Sequence, residues 1–251
     1  MGLLKRTAAT FACSLLLSLP ARAQELFVSA AASLTDAFTD IGRAYEKSRP
    51  GTRVLLNFGG SGQLLQQIAK GAPVDVFASA DEETMDKGER AGWIVADSRD
   101  DFARNALVLV LPRDSRLTVR SLRDLTHGEF RRIAIGNPDS VPAGRYGKAV
   151  LAAAGLWEAL QARLITTQNV RQSLDYVARG EVDAAFVYRT DAALMPDRIR
   201  IGLEVASQVP VRYPIAVVEG SRNPKVARDF IAFVRSAAGQ AILKKYGFAG
   251  P

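Results

Sequence analysis

From residue 25 onward, short runs of consecutive apolar residues alternate with segments whose apolar residues recur every three or four positions. The runs at 26–30, 53–58, 75–78, 106–111, 132–135 and 184–188 are rich in β-branched, aromatic and aliphatic residues and predict strands. Between the first two, Leu34, Ala37, Phe38, Ile41 and Tyr45 fall on one face of a helix over 34–47. Near-continuous apolar strands separated by amphipathic helices predict an α/β chain whose sheets are mainly parallel and covered on both faces. No internal repeat, low-complexity tract or flexible linker interrupts the pattern.

The helix starts carry the chemistry. Ser33 precedes the first helix with Asp36 three residues on, a capping pattern. Gly59, Gly60, Ser61 and Gly62 follow the 53–58 strand and open a helix through Leu64, Leu65 and Ile68 that stops at Gly71. Val141, Pro142, Ala143 and Gly144 open another that ends near Gly155, and Asn169 is the predicted N-cap of a helix stopping at Gly180. A helix N-terminus presents unpaired N–H groups and a partial positive charge, so several aimed at one point would hold an anion without Lys or Arg. In an open α/β sheet, the edge where strands hand over to helices is where ligands bind. Taken singly, each start is an ordinary cap or turn, and spacing does not bring the four together.

Composition fixes the compartment. Residues 1–23 begin with Lys5 and Arg6, continue in an apolar stretch from Ala8 to Leu19 and end in Ala21, Arg22 and Ala23. That is the layout of a cleavable signal peptide, with cleavage between Ala23 and Gln24. The apolar stretch is too short to span a bilayer, and Cys13 lies inside it rather than just after it, which argues against a lipid anchor. Cleavage there takes away Lys5, Arg6 and Arg22, lowering the net charge from +7 to +4, and with them Cys13, the single cysteine. The expectation is a soluble periplasmic protein of one or two domains, held by its core instead of by disulfides.

Seven motifs now add to this reading: AAASLTDA at 30–37, FGGSGQL at 58–64, GAPVDVFASAD at 71–81, GNPDSVPAG at 136–144, NVR at 169–171, VYRTD at 187–191 and YPIAVVEG at 213–220. In this order, and followed by KYGF at 245–248, they resemble the periplasmic molybdate-binding proteins of ATP-driven importers. The resemblance implies a two-lobed periplasmic-binding-protein fold of type II. Lobe 1 would take 24–105 with 214–251, lobe 2 would take 106–213, and the connecting strands at 106–111 and 209–218 would flex as the cleft shuts. It further implies binding of molybdate, and of tungstate, by the hydroxyl and N–H of Ser33 and Ser61, the N–H of Ala143 and Val170, and the hydroxyl of Tyr188. Delivery to an inner-membrane ABC permease follows from the same likeness, with the protein a monomer that needs no cofactor. One departure is Gly60 and Gly62 beside Ser61, where relatives often carry serines.

Neutral donors suffice on magnitude. Charge-assisted hydrogen bonds contribute roughly 1.5–3 kcal/mol each, enough together to offset a dianion's lost hydration. A site of donors alone rejects phosphate, whose proton would face another donor, whereas sulfate is excluded only by its smaller size. Sulfate or a small organic anion is therefore the competing ligand. Arg145 and Arg171, in the first turns of their helices, are expected to point into solvent and steer the anion without touching it.

Other classes fare worse. Asp75 and Asp81 have no His or Cys beside them, so they are read as a strand-end cap and a solvated loop charge, and no residue is expected to ligate a metal cation directly. His127 is read as a surface loop residue, and Trp93, Tyr146 and Trp157 as packing. A serine hydrolase would need a base beside Ser33 or Ser61, and neither G-x-S-x-G nor S-x-x-K surrounds them, so the chain is not expected to be an enzyme. The pI of about 9.7 suggests nucleic acid, but the export signal and the lack of a preceding helix-turn-helix segment argue against it.

Overall fold

A computed structural model describes residues 24–206 and 209–251; the signal-peptide reading falls on residues outside these. In chain order the elements are β1 (Gln24–Ala31), α1 (Thr35–Ser48), β2 (Thr52–Gly59), α2 (Ser61–Ala69), β3 (Val76–Ala78), α3 (Glu82–Arg90) and β4 (Asp100–Asn105). There follow β5 (Leu107–Pro112), β6 (Ile133–Gly136), α4 (Pro142–Ala153), α5 (Trp157–Leu160), β7 (Leu164–Thr167), α6 (Val170–Ala178), β8 (Ala184–Tyr188), α7 (Arg189–Ala192) and β9 (Ile199–Glu204). The chain closes with β10 (Val211–Val217), α8 (Pro224–Arg235) and α9 (Ala237–Lys245).

Two five-stranded sheets result, ordered β2-β1-β3-β10-β4 and β7-β6-β8-β5-β9. This is the two-lobed α/β architecture expected from the sequence. The sheets are mixed: β10 in the first and β5 in the second run against their neighbours on both sides, and the remaining pairings are parallel. Those two reversed strands are where the chain changes lobe. β4 passes into β5 through Ala106, and β9 returns to β10. The crossings lie side by side, since Asn105 pairs with Val211, Val108 pairs with Glu204, and the Val205 N–H donates to the Leu107 carbonyl at 3.1 Å. A pair of adjacent crossovers is the geometry of a hinge. The return comes a few residues earlier than the sequence boundary, with residues 211–213 in the sheet of lobe 1.

The cores hold the site's supports in place. In lobe 1, Phe38 of α1 meets Phe102 and Phe230 at ring-centroid separations of 5.5 and 6.3 Å, which seats α1 and α8 on the sheet. Each such side chain, fully buried, contributes roughly 1.5–3 kcal/mol. In lobe 2, Leu107 through Leu111 is an unbroken buried run, as a central strand covered on both faces requires. Helix α4 lies so close over β6 that a side chain at Gly144 would overlap the Gly136 carbonyl. Glycine there sets the depth at which the α4 N-terminus sits.

Candidate functional site

Six parallel strands end at one place between the lobes. β1 leads to Ser33, β2 to Ser61, β3 to Ala80, β6 to Ala143, β7 to Val170, and β8 ends at Tyr188. All six residues line one small cavity together with Gly60, Val141 and Asn169. The five residues singled out from the sequence are therefore brought together, each less than 5% exposed. Ligand sites at the carboxyl ends of parallel strands are the general rule for such sheets.

Ser61 is the first residue of α2, Val170 the first of α6 and Ala143 the second of α4, positions whose N–H groups have no acceptor within their own helix. The Asn169 side chain caps α6 by accepting from the Gln172 N–H, as the sequence indicates. Ser33 differs. It lies in a 3-10 turn, Ala32–Leu34, ahead of α1, and no side chain caps that helix. The capping pattern of Ser33 with Asp36 is thus not realised: the Ser33 hydroxyl is 3.0 Å from the Tyr213 hydroxyl, and Asp36 accepts from Arg171.

Each site hydroxyl already has a partner. Ser61 Oγ accepts from the Ala80 N–H at 3.1 Å, and the Tyr188 hydroxyl lies 3.4 Å from the Ala80 carbonyl, to which it donates. Among the described residues no buried side-chain nitrogen or oxygen is left without a partner. Ala80 thereby joins the two lobes through its backbone, a role for which an alanine gives no signal in sequence. Burial raises the phenols of Tyr188 and Tyr213 well above their ordinary range, so both keep their protons.

The two arginines do not point into solvent. Arg145 of α4 reaches across the cleft to Asp81, Nε to Oδ2 at 2.8 Å, and to Thr84 Oγ1 at 2.9 Å. Arg171 of α6 bonds Asp191 Oδ1 at 2.6 Å within its own lobe and Asp36 Oδ2 at 2.8 Å in the other. Asp81 is buried, caps α3 through the Thr84 N–H and is no solvated loop charge. With each guanidinium matched by carboxylates, the cavity gains little positive charge from them, and donors at its wall are neutral. Asp75 accepts from the Phe27 N–H and the Ser221 hydroxyl, a structural role at the start of β3. His127 is exposed, and Trp93, Tyr146 and Trp157 pack against the cores. Among the described residues no group of His, Cys, Asp and Glu could hold a metal ion, and no helix is long and apolar enough to cross a membrane.

The lobes are shut over this cavity. Besides the arginine contacts, the Gly62 N–H donates to the Ser140 carbonyl across the cleft at 2.9 Å. Fold and site together define a two-lobed binding protein that closes its cleft on a small solute. The chain belongs to the bacterial extracellular solute-binding proteins, matching that family over residues 26–249. It is 36% identical over 239 residues to the molybdate-binding protein ModA of Escherichia coli K12, covering 89% of this chain and 88% of the relative. The structure resembles the periplasmic molybdate-binding protein of Azotobacter vinelandii, with a TM-score of 0.76, 26% identity and coverage of 90% of this chain and 99% of the other. It also resembles the sulfate-binding protein SubI of Mycobacterium tuberculosis, with a TM-score of 0.79 over 90% of this chain and 87% of the other, a likeness that at 17% identity carries the fold alone.

Proposed function

We propose that this protein binds molybdate, and tungstate, in the cavity between its lobes and delivers the ion to an inner-membrane ABC permease. The observation that carries the reading is the meeting of Ser33, Ser61, Ala143, Val170 and Tyr188 around one small cavity whose nearby cations are engaged by carboxylates. Serine hydroxyls and first-turn N–H groups are donors suited to a fully deprotonated tetrahedral dianion, the Tyr188 hydroxyl joins them by turning its proton from the Ala80 carbonyl to the ion, and charge-assisted bonds of this kind contribute about 1.5–3 kcal/mol each. The molybdate-binding relatives support the choice of ion. In this reading the chain is exported, cleaved after Ala23, and works as a periplasmic monomer without a cofactor.

Sulfate is the competing ligand, because it has the same charge and shape. The reading expects it to bind weakly, since a smaller tetrahedron does not reach donors on both lobes at once. Thermal unfolding tests this. Molybdate or tungstate at about a thousand times its dissociation constant adds roughly 4 kcal/mol to the folded state and raises the melting temperature. Equal concentrations of sulfate and phosphate leave it unchanged; a shift with sulfate alone would reassign the ligand.

A further inference from the structure

Tyr213 belongs to lobe 1 and its ring is wholly buried. It sits 5.8 Å from the Tyr188 ring, centroid to centroid, and its hydroxyl lies behind Ser33. Among the described residues that hydroxyl has two hydrogen-bond partners, the Asn105 amide at 3.2 Å and Ser33 Oγ at 3.0 Å. Asn105 occupies the end of β4, next to the crossover into lobe 2.

The direction of these bonds follows from the donor at one end. The Ala106 N–H can only donate, and it donates to Asn105 Oδ1 at 2.9 Å. The amide nitrogen of Asn105 therefore faces the other way, donating to Thr190 Oγ1 at 2.8 Å and to the Tyr213 oxygen. Having accepted from Asn105, the Tyr213 phenol still carries one proton, and a buried O–H without an acceptor is costly. Its acceptor is Ser33 Oγ. With that lone pair filled from behind, the Ser33 proton is left to donate into the cavity. Ser61 is arranged alike, its oxygen filled by the Ala80 N–H.

We infer that Tyr213, oriented by Asn105, is a positioning residue that holds Ser33 as a hydrogen-bond donor toward the ligand and so sets the site against oxyanions that carry a proton. The inference rests on the oxyanion reading above. A fully deprotonated ion accepts from Ser33, whereas hydrogen phosphate must place its own O–H among donors. Removing the Tyr213 proton frees Ser33 to turn and accept, which relieves that conflict.

The test is the ratio of molybdate to phosphate affinity at pH 8, where both ions are dianions and any general change in charge or fit acts on both. In Tyr213→Phe, which keeps the ring, the ratio falls at least tenfold, chiefly because phosphate binding improves. Asn105→Asp replaces the amide donor by an acceptor, so Tyr213 turns to it and takes the Ser33 proton; the ratio falls again, here with a larger loss of molybdate. In the double variant Asn105→Asp with Tyr213→Phe the relay is cut, and the change at position 105 has no further effect on the ratio. Should Tyr213→Phe fail to fold, Asn105→Asp carries the test by itself. A wild type that binds molybdate and rejects phosphate, with variants that keep its ratio, overturns this inference and leaves the proposed function standing. A wild type that binds neither molybdate nor tungstate overturns both.

Discussion

Arg145 and Asp81 face each other across the cleft, the guanidinium Nε of lobe 2 lying 2.8 Å from the carboxylate of lobe 1. The rest of the guanidinium is turned the same way, Nη1 donating to the Pro138 carbonyl and Nη2 to Thr84 Oγ1, and Arg145 does not line the cavity of Ser33, Ser61 and Tyr188. Asp81 in turn spends its other oxygen on the Thr84 N–H and the Ser79 hydroxyl. The pair is a latch on the closed form rather than a part of the binding wall.

A latch acts on dissociation. Arg145→Ala removes one partner of a largely buried pair and is expected to weaken molybdate binding by roughly 1–3 kcal/mol, almost wholly through a faster off-rate. The steering role read from the sequence predicts instead a change in the on-rate and its salt dependence. Stopped-flow kinetics at two ionic strengths separate the two: an unchanged off-rate with a slower, salt-sensitive on-rate would restore steering.

Glycine at 62 is a condition of closure. A Cβ there would sit 2.8 Å from Ser140 Cα and 2.9 Å from its carbonyl oxygen, and both are backbone atoms of the opposite lobe that cannot swing aside. Gly62→Ser is therefore expected to lower affinity at least tenfold and to leave the radius of gyration with ligand near its open value in small-angle scattering. The control is Gly128→Ser, whose added atom meets nothing within 4 Å. Equal affinities for the two variants would show that the lobes shut without this contact.

How much of this was legible in the sequence depends on sequence distance and burial. Central strands such as Leu107–Pro112 are apolar throughout and stood out, as did the helix starts, whose signals span only a few residues. The strands without a clear apolar pattern, β4, β7 and β9, all lie at sheet edges, where polar residues such as those of Asp100–Asn105 blur the alternation. The site's own residues were found through a family likeness, since nothing local joins Ser33 to Ser61. Their supports were not found, because Tyr213 lies 180 residues from Ser33, Asp36 lies 135 from Arg171, and periodicity carries no information at that range. Ser33 has the form of a cap in sequence, a serine three residues before an aspartate, although the fold draws its hydroxyl to Tyr213.

Asp191 gives a pH signature. Burial raises its carboxyl to about 6, outweighing the attraction of Arg171 and the hydrogen bonds from Arg171 and the Tyr188 N–H. The folded protein thus holds this proton more tightly than the unfolded chain, so stability falls as the pH rises from about 4 through 6, by up to about 3 kcal/mol from this group. Urea unfolding between pH 4 and 7 should show Asp191→Asn with a flatter dependence than the wild type. An identical slope would mean that folding leaves the Asp191 carboxyl at its ordinary proton affinity.

In the proposed reading Ser61 offers the ion both its hydroxyl and its N–H, and alanine removes only the first. Ser61→Ala is expected to weaken molybdate binding by about 1–3 kcal/mol, and Ser33→Ala by a similar amount, with the fold retained. Unchanged affinity in Ser61→Ala would reduce that hydroxyl to an anchor for the Ala80 N–H.

The central claim is that donors on both lobes converge on one fully deprotonated tetrahedral ion of molybdate's size. Calorimetric titration of the ligand-free mature protein with molybdate, repeated in the presence of a hundredfold excess of sulfate, tests it most directly. The account predicts one site per chain and an affinity for molybdate that the sulfate barely alters. Binding abolished by sulfate, or no heat with either molybdate or tungstate, would contradict it.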